Sequence, residues 1–118
     1  MLLTKEFAFD AAHKLLNYKG PCGRLHGHTY RLRVTISGAV QKNGMVMDFA
    51  DLKKIVTERV LAKLDHTYLN RVIKQPTAEN IVSWIWHQVE KYLPLYEIKL
   101  WETPNSFVTY RGRVNESK

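Results

Sequence analysis

The stretch from His26 to Val40 constrains the fold more than any other part of the chain. Its even positions are His26, His28, Tyr30, Leu32, Val34, Ile36 and Val40; its odd positions include Thr29, Arg31, Arg33, Thr35 and Ser37. Strand side chains alternate between faces, so this pattern predicts a strand buried on one face and wetted on the other. Both histidines fall on the buried face, at its mouth. Two residues of strand separate their Cβ atoms by roughly 6–7 Å. Two imidazoles at that spacing can converge on one metal ion at ~2.0–2.1 Å each. Gln41-Lys42-Asn43-Gly44 then reads as a turn, with Met45-Val46-Met47 pairing back briefly.

The rest of the chain supplies partners for that strand. Residues 3–13 alternate as well, with Leu3, Phe7, Phe9, Ala11 and His13 on one parity. Residues 14–25 carry Asn17, Gly20, Pro21 and Gly23 and read as a loop. Asp48 is a good helix N-cap, and apolar residues at 52, 55, 56, 60 and 64 predict a helix from Phe49 to about Lys63. Residues 65–76 read as a connection. Thr77 caps a second helix that places Ile81, Trp84, Ile85 and Val89 on one stripe and stops before Pro94. Residues 97–103 and 107–111 are two further strands, and residues 112–118 are expected to fray. The order is β-β-α-α-β-β. It predicts an α+β domain spanning 1–118: a four-stranded antiparallel sheet with two helices on one face.

Composition bounds the function. With 118 residues, 45% hydrophobic and 25% charged, this is one ordinary globular domain. No apolar run approaches the ~20 residues of a membrane span. Met1-Leu2-Leu3 leads directly into Lys5 and Glu6, so no secretory leader is expected and the chain reads as cytoplasmic. The lone cysteine excludes an internal disulfide and a Cys-rich structural zinc site. A net charge of +7, dispersed along the chain, suits a phosphorylated small molecule, a nucleic acid or a membrane surface.

Four groups can carry chemistry. His13 ends the first strand and the His26–His28 pair begins the second, so antiparallel pairing brings all three imidazoles to one end. Three neutral imidazoles with one open position describe a catalytic zinc site. Cys22, four residues before His26, is either a fourth ligand that closes such a site or a free thiol beside it, acting as base or nucleophile; the spacing does not decide. In Asp65-His66 a carboxylate can orient an imidazole and raise its basicity. Glu102 ends an apolar stripe, as a core ion pair or as an anchor for a guanidine-like edge. Two other classes compete: a basic nucleic-acid-binding sheet and a closed structural zinc domain. Phe7, Phe9 and Tyr30 sit on the apolar parity, which favours core over nucleic-acid contact.

The blocks Phe9-Asp10-Ala11-Ala12-His13, Cys22-Gly23-Arg24-Leu25-His26-Gly27-His28, Asp48-Phe49, Leu64-Asp65-His66, Leu69-Asn70, Pro76-Thr77-Ala78-Glu79-Asn80 and Glu102-Thr103 resemble, in order and in register, the 6-pyruvoyltetrahydropterin synthase family. Within it, the position of Cys22 is most similar to the bacterial 6-carboxytetrahydropterin synthases of queuosine and 7-deazaguanine biosynthesis. The resemblance implies the tunnelling fold (T-fold), with trimers stacked into homohexamers and active sites between subunits. It implies Zn2+ on His13, His26 and His28, Cys22 as catalytic thiolate, Asp65 and His66 as a second proton-transfer unit, and Glu102 and, more weakly, Thr77 as substrate-binding residues. It implies conversion of 7,8-dihydroneopterin triphosphate to 6-carboxy-5,6,7,8-tetrahydropterin, acetaldehyde and triphosphate, without nucleic acid or membrane as partner. The alternative within the family is the pyruvoyl product, formed without carbon–carbon cleavage.

Overall fold

The computed structural model describes residues 1–112. The expected fraying of 113–118 lies outside the described residues. In chain order the elements are β1 (Leu2–His13), β2 (His26–Ser37), α1 (Phe49–Val56), β3 (Thr67–Tyr68), α2 (Ala78–Val89), β4 (Leu95–Thr103) and β5 (Ser106–Tyr110). One sheet runs β3-β1-β2-β4-β5. β1/β2, β2/β4 and β4/β5 are antiparallel, whereas β3 lies parallel to β1, Thr67 beside Ala11 and Tyr68 beside Ala12. The four-stranded antiparallel sheet expected from the sequence is therefore a five-stranded mixed one. The added strand, β3, is two residues long, and such a piece carries no alternation to read. β2 also stops at Ser37, short of Val40; the turn at Lys42–Asn43 is closed by Gly44 N–H on Gln41 O at 2.9 Å, and Met45–Met47 pairs back through only one main-chain bond, Gln41 N–H on Met45 O at 3.0 Å, without forming a strand.

The helices cover the sheet face that alternation assigned to the core. Leu52, Val56, Val60, Leu64, Ile81, Ile85 and Val89 form one cluster with Phe9, Tyr30, Leu32, Val34, Ile36, Ile98 and Leu100. Burying each of these side chains contributes ~1.5–3 kcal/mol. α1 begins on Asp48, whose carboxylate accepts from Ala50 N–H at 2.8 Å. It does not remain a regular α-helix to Lys63: it widens into a π-turn at Thr57–Leu61 before a last α-turn, Ala62–Leu64. The apolar spacing explains this. Residues 52, 56, 60 and 64 recur every four positions, so on a regular helix the stripe drifts about 40° per step. A wider turn takes back part of that drift and keeps Val60 and Leu64 in the core, both fully buried.

The other sheet face is polar and aromatic. Arg31 and Arg33 lie over the Trp101 ring at 4.0 and 4.9 Å, and Trp101 stacks on Phe107 at 4.9 Å. No helix among the described residues is long and apolar enough to cross a membrane.

Leu100 is fully buried at the centre of β4, between its register partners Leu32 and Val108. Leu100→Ala is expected to cost about 2–5 kcal/mol, read as a lower urea midpoint at unchanged slope. A loss below 1 kcal/mol would place this leucine outside the tightly packed core.

Candidate active site

The β1/β2 register pairs His13 with His26 and Ala11 with His28, so the three histidines share a face at one end of the hairpin. Two main-chain carbonyls orient two of the rings. His13 Nδ1–H donates to Pro76 O at 2.7 Å, and His26 Nδ1–H donates to Arg24 O at 2.7 Å. A neutral imidazole carries one proton, so each Nε2 is then a bare lone pair. These two Nε2 atoms stand 3.0 Å apart. Neither can donate to the other. The third ring adds an orphan: His28 Nε2 is buried without a directed hydrogen bond, although Glu102 Oε1 lies 3.1 Å away. Glu102 Oε1 is also 3.7 Å from His13 Nε2.

The four groups fit a metal. One ligand atom from each of His13, His26, His28 and Glu102 lies within 4.8 Å of all the others. Tetrahedral ligands at ~2.0–2.1 Å would be spaced ~3.3 Å apart, close to what the side chains already hold. Burial lowers the pKa of His28, Glu102 raises it, and His13 and His26 lower it again, with a net fall that favours the neutral ring a metal needs. Beneath the site, burial and then the charge of Glu102 raise the Tyr30 phenol far above its ordinary range, so it stays neutral.

Asp65 and His66 form a second group. Adjacent residues rarely face each other, but His66 adopts φ +59°, and this left-handed turn brings its Nδ1 to 3.0 Å from Asp65 Oδ1. β1 holds the dyad by main-chain bonds: Asp10 N–H donates to Asp65 Oδ1 at 3.0 Å, and His66 N–H donates to Asp10 O at 2.6 Å. Asp10 joins the dyad, its own carboxylate accepting from Thr29 Oγ1–H at 2.5 Å. Asp10 and Thr29 alternate with Ala11 and His28, so this group lies on the wet face, apart from the three imidazoles.

Cys22 sits half-buried on the short 3₁₀ turn Pro21–Gly23, as a free thiol, and is not part of either converging group. Residues that carried no chemistry in the sequence hold its loop. Asn70 binds both main-chain groups of Lys14, accepting from its N–H at 2.9 Å and donating to its C=O at 2.8 Å. Gln75 does the same for Leu16, at 2.7 and 3.1 Å. Between them, Leu15 N–H donates to Cys22 O at 3.0 Å. Gly23 admits no side chain, since a Cβ there would lie 2.2 Å from Tyr18 O. Thr77 is the N-cap of α2, its Oγ1 accepting from Asn80 N–H at 3.2 Å, one residue beyond the carbonyl that orients His13. These clamps act through backbone groups, and paired amides in a loop leave no pattern in composition or period.

The fold and the imidazole cluster define an α+β protein with a metal-competent pocket at the mouth of a β-hairpin. Residues 2–113 match the 6-pyruvoyl tetrahydropterin synthase family, and the chain belongs to that family. It is 37% identical over 137 aligned positions to a 6-carboxy-5,6,7,8-tetrahydropterin synthase of Haemophilus influenzae, covering 92% of this chain and 97% of that protein. It is 44% identical over 101 to a dihydroneopterin monophosphate aldolase of Pyrococcus furiosus, covering 80% and 83%. The solved structure of Caenorhabditis elegans 6-pyruvoyl tetrahydropterin synthase superimposes with a TM-score of 0.87 at 28% identity, covering 96% of each chain.

Gln75→Ala removes both bonds to Leu16, a loss of about 1–2 kcal/mol. Amide exchange at Leu16 should accelerate several-fold. Unchanged exchange would show that Gln75 does not hold this loop.

Proposed function

We propose that this chain is a zinc-dependent carbon–carbon lyase that converts 7,8-dihydroneopterin triphosphate to 6-carboxy-5,6,7,8-tetrahydropterin, acetaldehyde and triphosphate, in queuosine and 7-deazaguanine biosynthesis. The observation that carries the reading is the convergence of three imidazole Nε2 atoms, two of them stripped of protons by their carbonyl partners. His13, His26 and His28 would hold the zinc, which supplies Lewis acidity at the substrate's side-chain oxygens. Cys22 takes the proton made acidic there, and its Lys14–Arg24 segment, held by Asn70 and Gln75, presents the thiol to the substrate. Glu102 accepts two parallel hydrogen bonds from the pterin's guanidine-like edge, and Thr77, at the N-cap of α2, is assigned a weaker pterin contact by the family resemblance. His66, oriented by Asp65, exchanges a second proton.

Assembly completes the site in this reading. The Asp65-His66 dyad lies beside Asp10 at the β1/β3 edge, away from the β2/β4 opening beside Glu102, so in this reading it serves the pocket of a neighbouring copy. Two open sheet edges support a homohexamer of stacked trimers: β3 covers β1 only at Ala11 and Ala12, and β5 has no further strand beyond it among the described residues.

Mass analysis of the zinc-loaded protein with 7,8-dihydroneopterin triphosphate should find the carboxy pterin and acetaldehyde in equal amounts. A pyruvoyl product without acetaldehyde would establish the alternative reading, and aldol cleavage of the monophosphate would align the chain with its Pyrococcus relative. Cys22→Ala should keep one zinc and lose about 10²- to 10⁴-fold in turnover; release of the zinc would make the thiol a ligand and overturn its role as base. Glu102→Ala should keep zinc and weaken pterin binding at least tenfold, whereas loss of zinc would identify this carboxylate as the fourth ligand.

A further inference from the structure

We propose that Arg31 binds the phosphate end of the substrate, in a cleft where β2 and β4 part. This deepens the reaction proposed above and rests on its substrate class. β2/β4 pairing begins at Ile36/Leu95 and ends at Arg31/Trp101. Beyond that pair the strands separate around a cavity of about 450 Å³ whose lining includes His28, Glu102, Arg31 and Trp101. That volume lies within the ~300–1,000 Å³ typical of small-molecule sites. Of the three histidines only His28 lines it, beside Glu102 and the wet-face residues Thr29, Arg31 and Trp101.

Charges of both signs line this cleft. Glu102 faces His28 at 3.1 Å. The Arg31 guanidinium lies 4.0 Å from the Trp101 ring centroid. Trp101 is a fixed platform: it is 7% exposed and stacked on Phe107 at 4.9 Å. Cation–π contact holds the guanidinium plane without using any of its five N–H donors. The neighbouring arginines are spent. Arg33 binds Glu6 at 2.7 Å and Arg111 binds Glu97 at 2.8 Å, whereas Arg31 has no carboxylate partner among the described residues.

A guanidinium that is oriented, unneutralised and edged onto a cavity is suited to bidentate binding of phosphate oxygens. Glu102 repels an anion, so it fixes the direction of entry. The donor-rich pterin edge goes to the carboxylate, and the phosphorylated side chain extends along the cleft to Arg31. A bare inorganic phosphate would use half of this cleft; a phosphorylated pterin uses both halves. Arg31 thereby becomes a specificity residue that separates phosphorylated from unphosphorylated pterins.

The test compares wild type with Arg31→Gln, which keeps the aliphatic stem over Trp101, and with Arg31→Lys, all zinc-loaded. Equilibrium binding is measured for 7,8-dihydroneopterin triphosphate, unphosphorylated 7,8-dihydroneopterin and inorganic triphosphate. Arg31→Gln should weaken the pterin triphosphate by about ten- to hundredfold, leave the unphosphorylated pterin within twofold, and abolish competition by inorganic triphosphate. Arg31→Lys should recover part of the loss. Equal wild-type affinity for the two pterins, or equal losses for both in Arg31→Gln, would overturn the assignment. Because these are binding measurements, a wild type that binds the pterin triphosphate but forms no product counts against the proposed reaction alone.

Discussion

Two imidazole nitrogens face each other across 3.0 Å, and with both ring protons on Nδ1, where carbonyls accept them, only lone pairs stand between them. His13 and His26 have each given their single ring proton to a carbonyl, and two acceptors at that distance repel unless a cation stands between them. The local structure is built to hold this opposition. β1/β2 register sets the rings opposite one another, Pro76 O fixes one and Arg24 O fixes the other. A proton shared between the nitrogens would relieve one contact and leave His28 Nε2 an orphan. A metal ion relieves all three, which is why the geometry fits a metal and not a simple histidine hydrogen-bond chain.

The segment just before α2 carries a double duty. Pro76 O orients His13, while the Gln75 side chain, one residue earlier, grips both main-chain groups of Leu16. Gln75 O in turn accepts from Asn80 Nδ2–H at 2.9 Å, which locks the segment onto the first turn of the helix. The imidazole cluster and the loop bearing Cys22 therefore share one reference, the capped end of α2. Positioning by a regular element holds a reactive group more tightly than a free loop can.

Much of this was legible in the residues. The alternation of 26–40 placed His26 and His28 on the core face, and parity in β1 added His13. Asp48 and Thr77 announced both helix starts, and both accept the capping bond expected of them. What escaped was set by backbone geometry. β3 is two residues, too short to alternate. The π-turn follows from a strict four-residue spacing that, read as a simple helical period, gives one regular helix. The Asp65-His66 contact needs a positive φ that the identity of a histidine does not suggest. Asn70 and Gln75 act on main-chain groups whose positions only folding reveals. Glu102 could be read as an ion pair or as an anchor; its place beside His28 and His13 resolves where it is, and its role belongs to the proposed reaction.

The most direct test concerns the ring protons. Long-range ¹H–¹⁵N correlation spectra of the metal-free protein report the tautomer of each histidine, and titration with zinc reports which nitrogens bind. The account expects Nδ1–H tautomers at His13 and His26, then stoichiometric shifts at Nε2 of His13, His26 and His28 with one equivalent of zinc. An Nε2–H tautomer at His13 or His26, or zinc that leaves any of the three Nε2 signals unmoved, would contradict it.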